Sequence, residues 1–305
     1  MRYLTSLFFI GFMFLGLVGF AQELKPKRVV VIGIDGLSVD GYKTAKHPNL
    51  DELMKDGVLS MDTRPVMPSV TMPNWTSHLT SGGPEQHGVT GNEWRVDNQK
   101  FPPIEIDEAG YYPSIFKLLK DQVPGVKTAF YYNWAELINS FNKAYLDEVN
   151  FEENDGYAVN YGKAYDFIVE NEDDPTLVFL YTVHVDHAGH SYKWMSPEYI
   201  KAIEDADAEI GKLIGKMKAS GHYDDTNFLL ISDHGGNPAS GHGGLSIEEM
   251  QVPWGITGPG IVKNRKMDEP NSNANTAAVI ASIFGCRDLS VSTIGKVPGS
   301  IFEKK

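Results

Sequence analysis

Five short apolar runs punctuate the chain, and much of its polar chemistry follows directly behind them. Lys27–Ile34 (KRVVVIGI) is continuous and β-branched, without alternation. Such a run suits a strand buried on both faces of a parallel sheet. Val126–Tyr132, Thr176–Thr182, Asn227–Ser232 and Val252–Thr257 read the same way. Between them the period changes. In Ser196–Ser220, Tyr199, Ile203, Ala206, Ile210, Leu213 and Met217 recur at helical spacing, the stripe of an amphipathic helix. Ser196 suits the cap, Pro197 the first turn and Gly221 the stop. Asn275–Phe284 predicts a second, apolar helix. Strands alternating with helices predict an α/β fold: a doubly wound, mostly parallel sheet sandwiched by helices. Residues 92–112, rich in Pro, Asp and aromatics, are the main irregular insertion. The acidic run Asp147–Asp155 reads as a solvated loop, since it lacks the alternate-residue spacing of a calcium loop.

The first residues carry an address. Arg2 precedes an apolar stretch from Leu7 to Phe20, and Gly19 and Ala21 are small residues at the right offsets for cleavage. The stretch is shorter than the roughly 20 residues that a membrane span needs. Residues 1–21 are therefore expected to be a signal peptide cut near Ala21, leaving 22–305 as one catalytic domain. The mature protein is expected to be secreted or periplasmic, with no membrane span. A single cysteine among 305 residues excludes an internal disulfide and any multi-cysteine zinc site. Cys286 suits a small buried hydrophobe near a helix end. With 27 Lys+Arg against 40 Asp+Glu, the net charge of −13 argues against a nucleic acid polymer as partner.

What remains is chemistry on Asp and His, and it gathers behind the strands. In open α/β sheets ligands bind beyond the carboxyl ends of the strands. Asp35 follows the first run, Asp186 and His190 the third, and Asp233 and His234 the fourth, with His242 shortly beyond. No one of these residues identifies a site; their convergence on one edge does. Asp and His without Cys suit a borderline cation such as zinc. A further segment, Met67–Asn92, sets Thr71 just before Pro73 at the start of a helical stretch. Thr71 there is either an N-cap or a nucleophile activated by a bound cation. Spacing alone leaves both open. Asn74-Trp75-Thr76 is also a glycosylation sequon, one that burial beside a metal would keep unmodified.

Together, VVVIGIDGL (29–37), PSVTMPNWTSHLTSGGPEQHGVTGN (68–92), VDHAGH (185–190), SDHGG (232–236) and GHGG (241–244) resemble the alkaline phosphatase superfamily, in its type I phosphodiesterase/nucleotide pyrophosphatase branch. VPWGITGPGI (252–261) and NTAAVIASIFG (275–285) resemble that fold's last strand and helix. The resemblance covers most of the chain, in the family's order. It implies an alkaline-phosphatase-like fold and two divalent metal ions, zinc in the family. Asp186, His190 and His242 would hold one; Asp35, Asp233 and His234 would hold the other, with Thr71 bridging toward it as a further ligand. Thr71 would attack phosphorus and form a phospho-threonine. Asn74 and a backbone N–H at or next to Thr71 would hold a phosphoryl oxygen.

Two departures limit the analogy. Only seven residues separate His234 from His242, where the larger nucleotide pyrophosphatases carry a long insertion. Nucleotide specificity therefore does not carry over. Asn275 also stands where relatives often have an Asp, a position expected to be structural. Thr71-Met72-Pro73-Asn74 lacks the nucleophile and the Arg of the sulfatase motif. VKTAFYYNWAEL (126–137) lacks the Lys-x-Arg of threonine-based phosphomonoesterases. A small phosphate ester, and a diester ahead of a monoester, is the expected substrate. Trp94, Phe101 and Tyr111, with Tyr112 and Trp134, would wall the site, although core packing explains the last two equally well. Arg95 could reach a dianion, which keeps a phosphomonoesterase as the alternative, beside a phosphonate monoester hydrolase. An inactive binding module would have lost ligands, and none is missing here.

Overall fold

The computed structural model describes residues 28–239, 241–287, 290 and 292–303; the expected signal peptide lies outside them. In chain order the elements are β1 (Arg28–Ile34), α1 (Val39–Thr44), α2 (Pro48–Lys55), β2 (Gly57–Thr63), α3 (Thr71–Thr80), α4 (Pro84–His87), α5 (Ile115–Gln122) and β3 (Lys127–Tyr132). Then come β4 (Glu148–Phe151), α6 (Tyr157–Glu170), β5 (Thr176–Thr182), α7 (His184–Tyr192), α8 (Pro197–Ala219) and β6 (Thr226–Ile231). The last are α9 (Ile247–Met250), β7 (Val252–Thr257), β8 (Arg265–Lys266) and α10 (Asn275–Phe284).

Among the described residues eight strands form one sheet, ordered β4-β3-β5-β1-β6-β7-β2-β8. Every pairing is parallel except those β7 makes with β6 and β2. Each face buries its own core. Val30, Ile32 and Ile34 of β1 pack with α1, α2, α6 and α8, whereas Val29 and Val31 pack toward α3, α5 and α10. A strand buried on both sides has no polar face to show, so β1 and β5 carry the unbroken apolar runs seen in the sequence. In α8, Ser196 accepts a hydrogen bond from Tyr199 N with Pro197 in the first turn, as the capping pattern predicts.

Two elements differ from expectation. The acidic run Asp147–Asp155 contains an edge strand, β4, whose burial alternates. Its charges stay at the surface, with Lys120 against Asp147 and Lys163 against Glu152. The tertiary pairing with β3 overrides the low strand propensity of the segment. β2 also went unread, because its half-buried pattern lacks the continuous apolar run. Cys286 is half-buried against the α10 face.

Candidate active site

The three central strands, β5, β1 and β6, lie side by side and end at the same edge. β1 runs into Asp35, β5 into α7 with Asp186 and His190 four residues apart, and β6 into Asp233 and His234. The order of strands thus converts five scattered residues into one site. After Asp35 the chain must turn at once, and Gly36 does so at φ +69, a conformation that disfavours side chains.

Two groups result: Asp186, His190 and His242, and Asp35, Asp233 and His234. Within each, one ligand atom per residue lies within 4.8 Å of the others. The second-group residues are fully buried. Each carboxylate there is tied by one oxygen only. Asp35 Oδ2 accepts from Tyr181 Oη at 2.5 Å and Trp75 Nε1 at 3.2 Å, and Asp233 Oδ1 accepts from Gly36 N at 3.1 Å. Asp35 Oδ1, Asp233 Oδ2 and, in the first group, Asp186 Oδ1 are buried without a partner among the described residues. Such orphans are costly unless something positive satisfies them.

The imidazoles tell the same story. His234 Nδ1 lies 2.9 Å from Gly235 O and His242 Nδ1 3.0 Å from Ser69 O. A carbonyl only accepts, so both rings carry hydrogen on Nδ1 and a lone pair on Nε2. His190 and His242 face each other Nε2 to Nε2 at 3.1 Å, which needs a proton or a cation between them. Burial lowers the affinity for a proton at all three rings. Burial raises Asp35 to about 6, and burial together with the charge of Asp35 raises Asp186 and Asp233 further. Neutral imidazoles beside buried carboxylates with open oxygens fit two divalent cations.

Thr71 joins the second group. The N-cap of α3 is Val70, so Thr71 is the first helical residue and its hydroxyl does not cap. Thr71 Oγ1 instead lies 3.2 Å from His234 Nε2. Asn74 is placed otherwise than expected. Its side chain is fully buried; Nδ2 faces the carbonyls of Val66, Pro68 and Val70, and Oδ1 accepts from Val66 N and Asn273 Nδ2. With every donor engaged it shapes the turn before α3 and has none to offer a phosphoryl group. The same burial closes the sequon. The free amide belongs to Asn92, missed in the sequence: its Oδ1 accepts from Met72 N at 2.9 Å, and its Nδ2 meets no protein acceptor among the described residues. Its only signal was its place at the end of the Thr71 segment.

The expected wall is mixed. Trp94 is buried against Met72 and Val89, with Tyr111 packed on it. Phe101 is exposed. Arg95 turns its guanidinium onto the Trp94 and Asn92 carbonyls. Tyr112 is core, its hydroxyl bonded to Ser292, and Trp134 packs between two cores. Asn275 is structural, bonded to Asn271 and Lys296 N.

Residues 29–276 match the family model "Type I phosphodiesterase / nucleotide pyrophosphatase", and the chain belongs to that family. An uncharacterized pyrophosphatase/phosphodiesterase of Schizosaccharomyces pombe is 29% identical over 237 residues, 73% of this chain and 47% of its own length. The bis(5′-adenosyl)-triphosphatase ENPP4 of Bos taurus is 24% identical over 77% of this chain and 53% of its own. The chain thus spans about half the length of these curated relatives. Among solved structures, murine ectonucleotide pyrophosphatase/phosphodiesterase 5 superimposes with a TM-score of 0.71 at 17% identity, over 86% of this chain and 95% of that one. An inactive threonine-to-alanine form of that protein has been solved with AMP.

Proposed function

We propose that the chain hydrolyses phosphoric esters, diesters first, by covalent catalysis at Thr71. The observation that carries this is Thr71 Oγ1 at the head of α3, 3.2 Å from His234 and beside two ligand groups with open carboxylate oxygens. Two divalent cations, zinc on this donor set, would supply positive charge where oxygen attacks and where oxygen departs. Asp35, Asp233 and His234 would hold one, and Asp186, His190 and His242 the other. The Thr71 oxygen bonds to phosphorus while the bond from phosphorus to the leaving oxygen breaks, and that oxygen takes a proton. Water then attacks the phospho-threonine and returns the hydroxyl to Thr71. The sum is one ester and one water giving one acid and one alcohol. Asn92 Nδ2 and the Thr71 N–H are the donors available to a non-bridging oxygen.

The lean to diesters is supported by the missing Lys-x-Arg pair in 126–137, and Arg95 has only its Nη1 turned onto the Trp94 and Asn92 carbonyls. The AMP complex of the murine relative makes nucleotides a substrate class to test. The leader-like segment before Gln22 supports export of the protein. Zinc-loaded protein should release nitrophenol from bis-p-nitrophenyl phosphate faster than from p-nitrophenyl phosphate. Thr71→Ala should abolish turnover while metal content stays at about two per chain. A strong preference for the monoester refutes the diester reading, and an active Thr71→Ala refutes the mechanism.

A further inference from the structure

A groove of about 280 Å³ opens beside the first ligand group, lined by Gly189, His190, Lys193, Trp194, Asn237 and His242. Thr71 reaches the site from the other end. Its hydroxyl is against His234, whose ring stacks on His242 at 3.8 Å, and His242 in turn meets His190. The groove is lined by His242 and His190, whereas the Thr71 hydroxyl meets His234, which is not part of its lining. In an in-line displacement the attacking and leaving oxygens lie on opposite sides of phosphorus. If Thr71 attacks, the departing group leaves toward this groove.

Lys193 is the cation in it. Its side chain is exposed and forms no ion pair among the described residues, whereas Arg95, the cation expected from the sequence, is engaged by carbonyls. The backbone of Lys193 sits at φ 78 and ψ 147, just past the end of α7. Only glycine adopts that region freely. The conformation follows from seating Trp194, which is buried and donates to Gly36 O at 3.1 Å, with Met195 also at positive φ on its far side. A glycine at 193 would allow the same seat without strain. A lysine held there against its backbone preference indicates a use for the ammonium group.

We propose that Lys193 and its groove form the leaving-group subsite, and that they favour a departing group carrying its own negative charge, a phosphate or pyrophosphate, over an uncharged one. This rests on Thr71 as the attacking group. Lys193 is a specificity residue; it holds the departing oxygens by a charge-assisted contact and takes no part in bond making at phosphorus.

Thymidine triphosphate and p-nitrophenyl thymidine monophosphate transfer the same group and differ in what departs. The ratio of their kcat/KM values should fall at least ten-fold in Lys193→Ala and recover in Lys193→Arg. Lys193→Gly should lose the ratio while its unfolding midpoint holds or rises, which separates the charge from the fold. A second readout is binding: calorimetric affinity for inorganic pyrophosphate, in zinc-loaded Thr71→Ala, should drop about ten-fold when Lys193→Ala is added. Equal losses on both esters, or unchanged pyrophosphate affinity, overturn the proposal. A wild-type protein that cleaves neither ester nor bis-p-nitrophenyl phosphate refutes the hydrolase reading instead, and the calorimetric result then decides Lys193 alone.

Discussion

Asp35, Asp186 and Asp233 bring three carboxylates together out of water, and without a cation burial keeps protons on them. This has a signed consequence for stability. Unfolded carboxylates ionise near pH 4, so above that the metal-free native state binds more protons, and its stability falls as pH rises. Buried histidines oppose this at lower pH: His78, pushed down to about 3 by burial, resists protonation in the native state. Their contribution ends near pH 6.5, where unfolded imidazole also loses its proton. Against an Asp35→Asn control, thermal melts of chelated protein should therefore show the Asp35 share of this loss as a midpoint that falls between about pH 4 and 6, with zinc flattening it; a midpoint that rises relative to the control would contradict it. Asn92 makes a second prediction at this scale. If its amide nitrogen meets the phosphoryl oxygen, Asn92→Ala should lower kcat by about 10²-fold with metal content unchanged by atomic absorption.

At the scale of elements, α7 is the part on which the first ligand group depends. It carries Asp186 and His190, and both its ends are held from outside. Asp155, from the loop after β4, bonds His184 Nδ1 at 3.2 Å and His187 Nδ1 at 2.9 Å near its start. Trp194 anchors its far end against Gly36 O, on a seat formed at Gly236, where any Cβ would overlap the indole. Gly236→Ala should unseat Trp194 and displace His190 and Lys193 together. Its expected signature is a loss of roughly one metal per chain with the other retained, read by titration with a zinc indicator. Asp155→Ala should loosen the same helix more gently and weaken zinc affinity at the Asp186, His190 and His242 group by about 10-fold.

For the whole molecule, the sheet order is what matters. Placing β1 between β5 and β6 aligns three strand ends, and β7, antiparallel to both its neighbours, extends the sheet away from them with β2 beyond it. Because the ligands come from β1, α7, β6 and the loop beyond, cations at the site would join distant parts of the chain. Chelation should therefore lower the midpoint of global unfolding, and added zinc should raise it in a concentration-dependent way. Among the described residues, no helix is long and apolar enough to cross a membrane. Export, if it occurs, should leave a mature N-terminus near Gln22, which intact-mass measurement would show.

Much of this was legible one residue at a time. The apolar runs marked β1, β3, β5, β6 and β7, because strands buried on both faces must be continuously apolar. The Asp and His residues behind them stood out because strand ends are where such sheets place ligands. β2 and β4 did not show, since an edge or half-buried strand is stabilised by its neighbour more than by its own composition. The roles of Asn74 and Asn92 could not be told apart either: both are amides in one segment, and only the folded turn decides which has its donors occupied. Lys193 was invisible for the same reason. Local sequence determines which residues can form a strand, a cap or a ligand; which of them face one another, and with which atoms free, is set by contacts between residues far apart in the chain, and those exist only once the chain has folded.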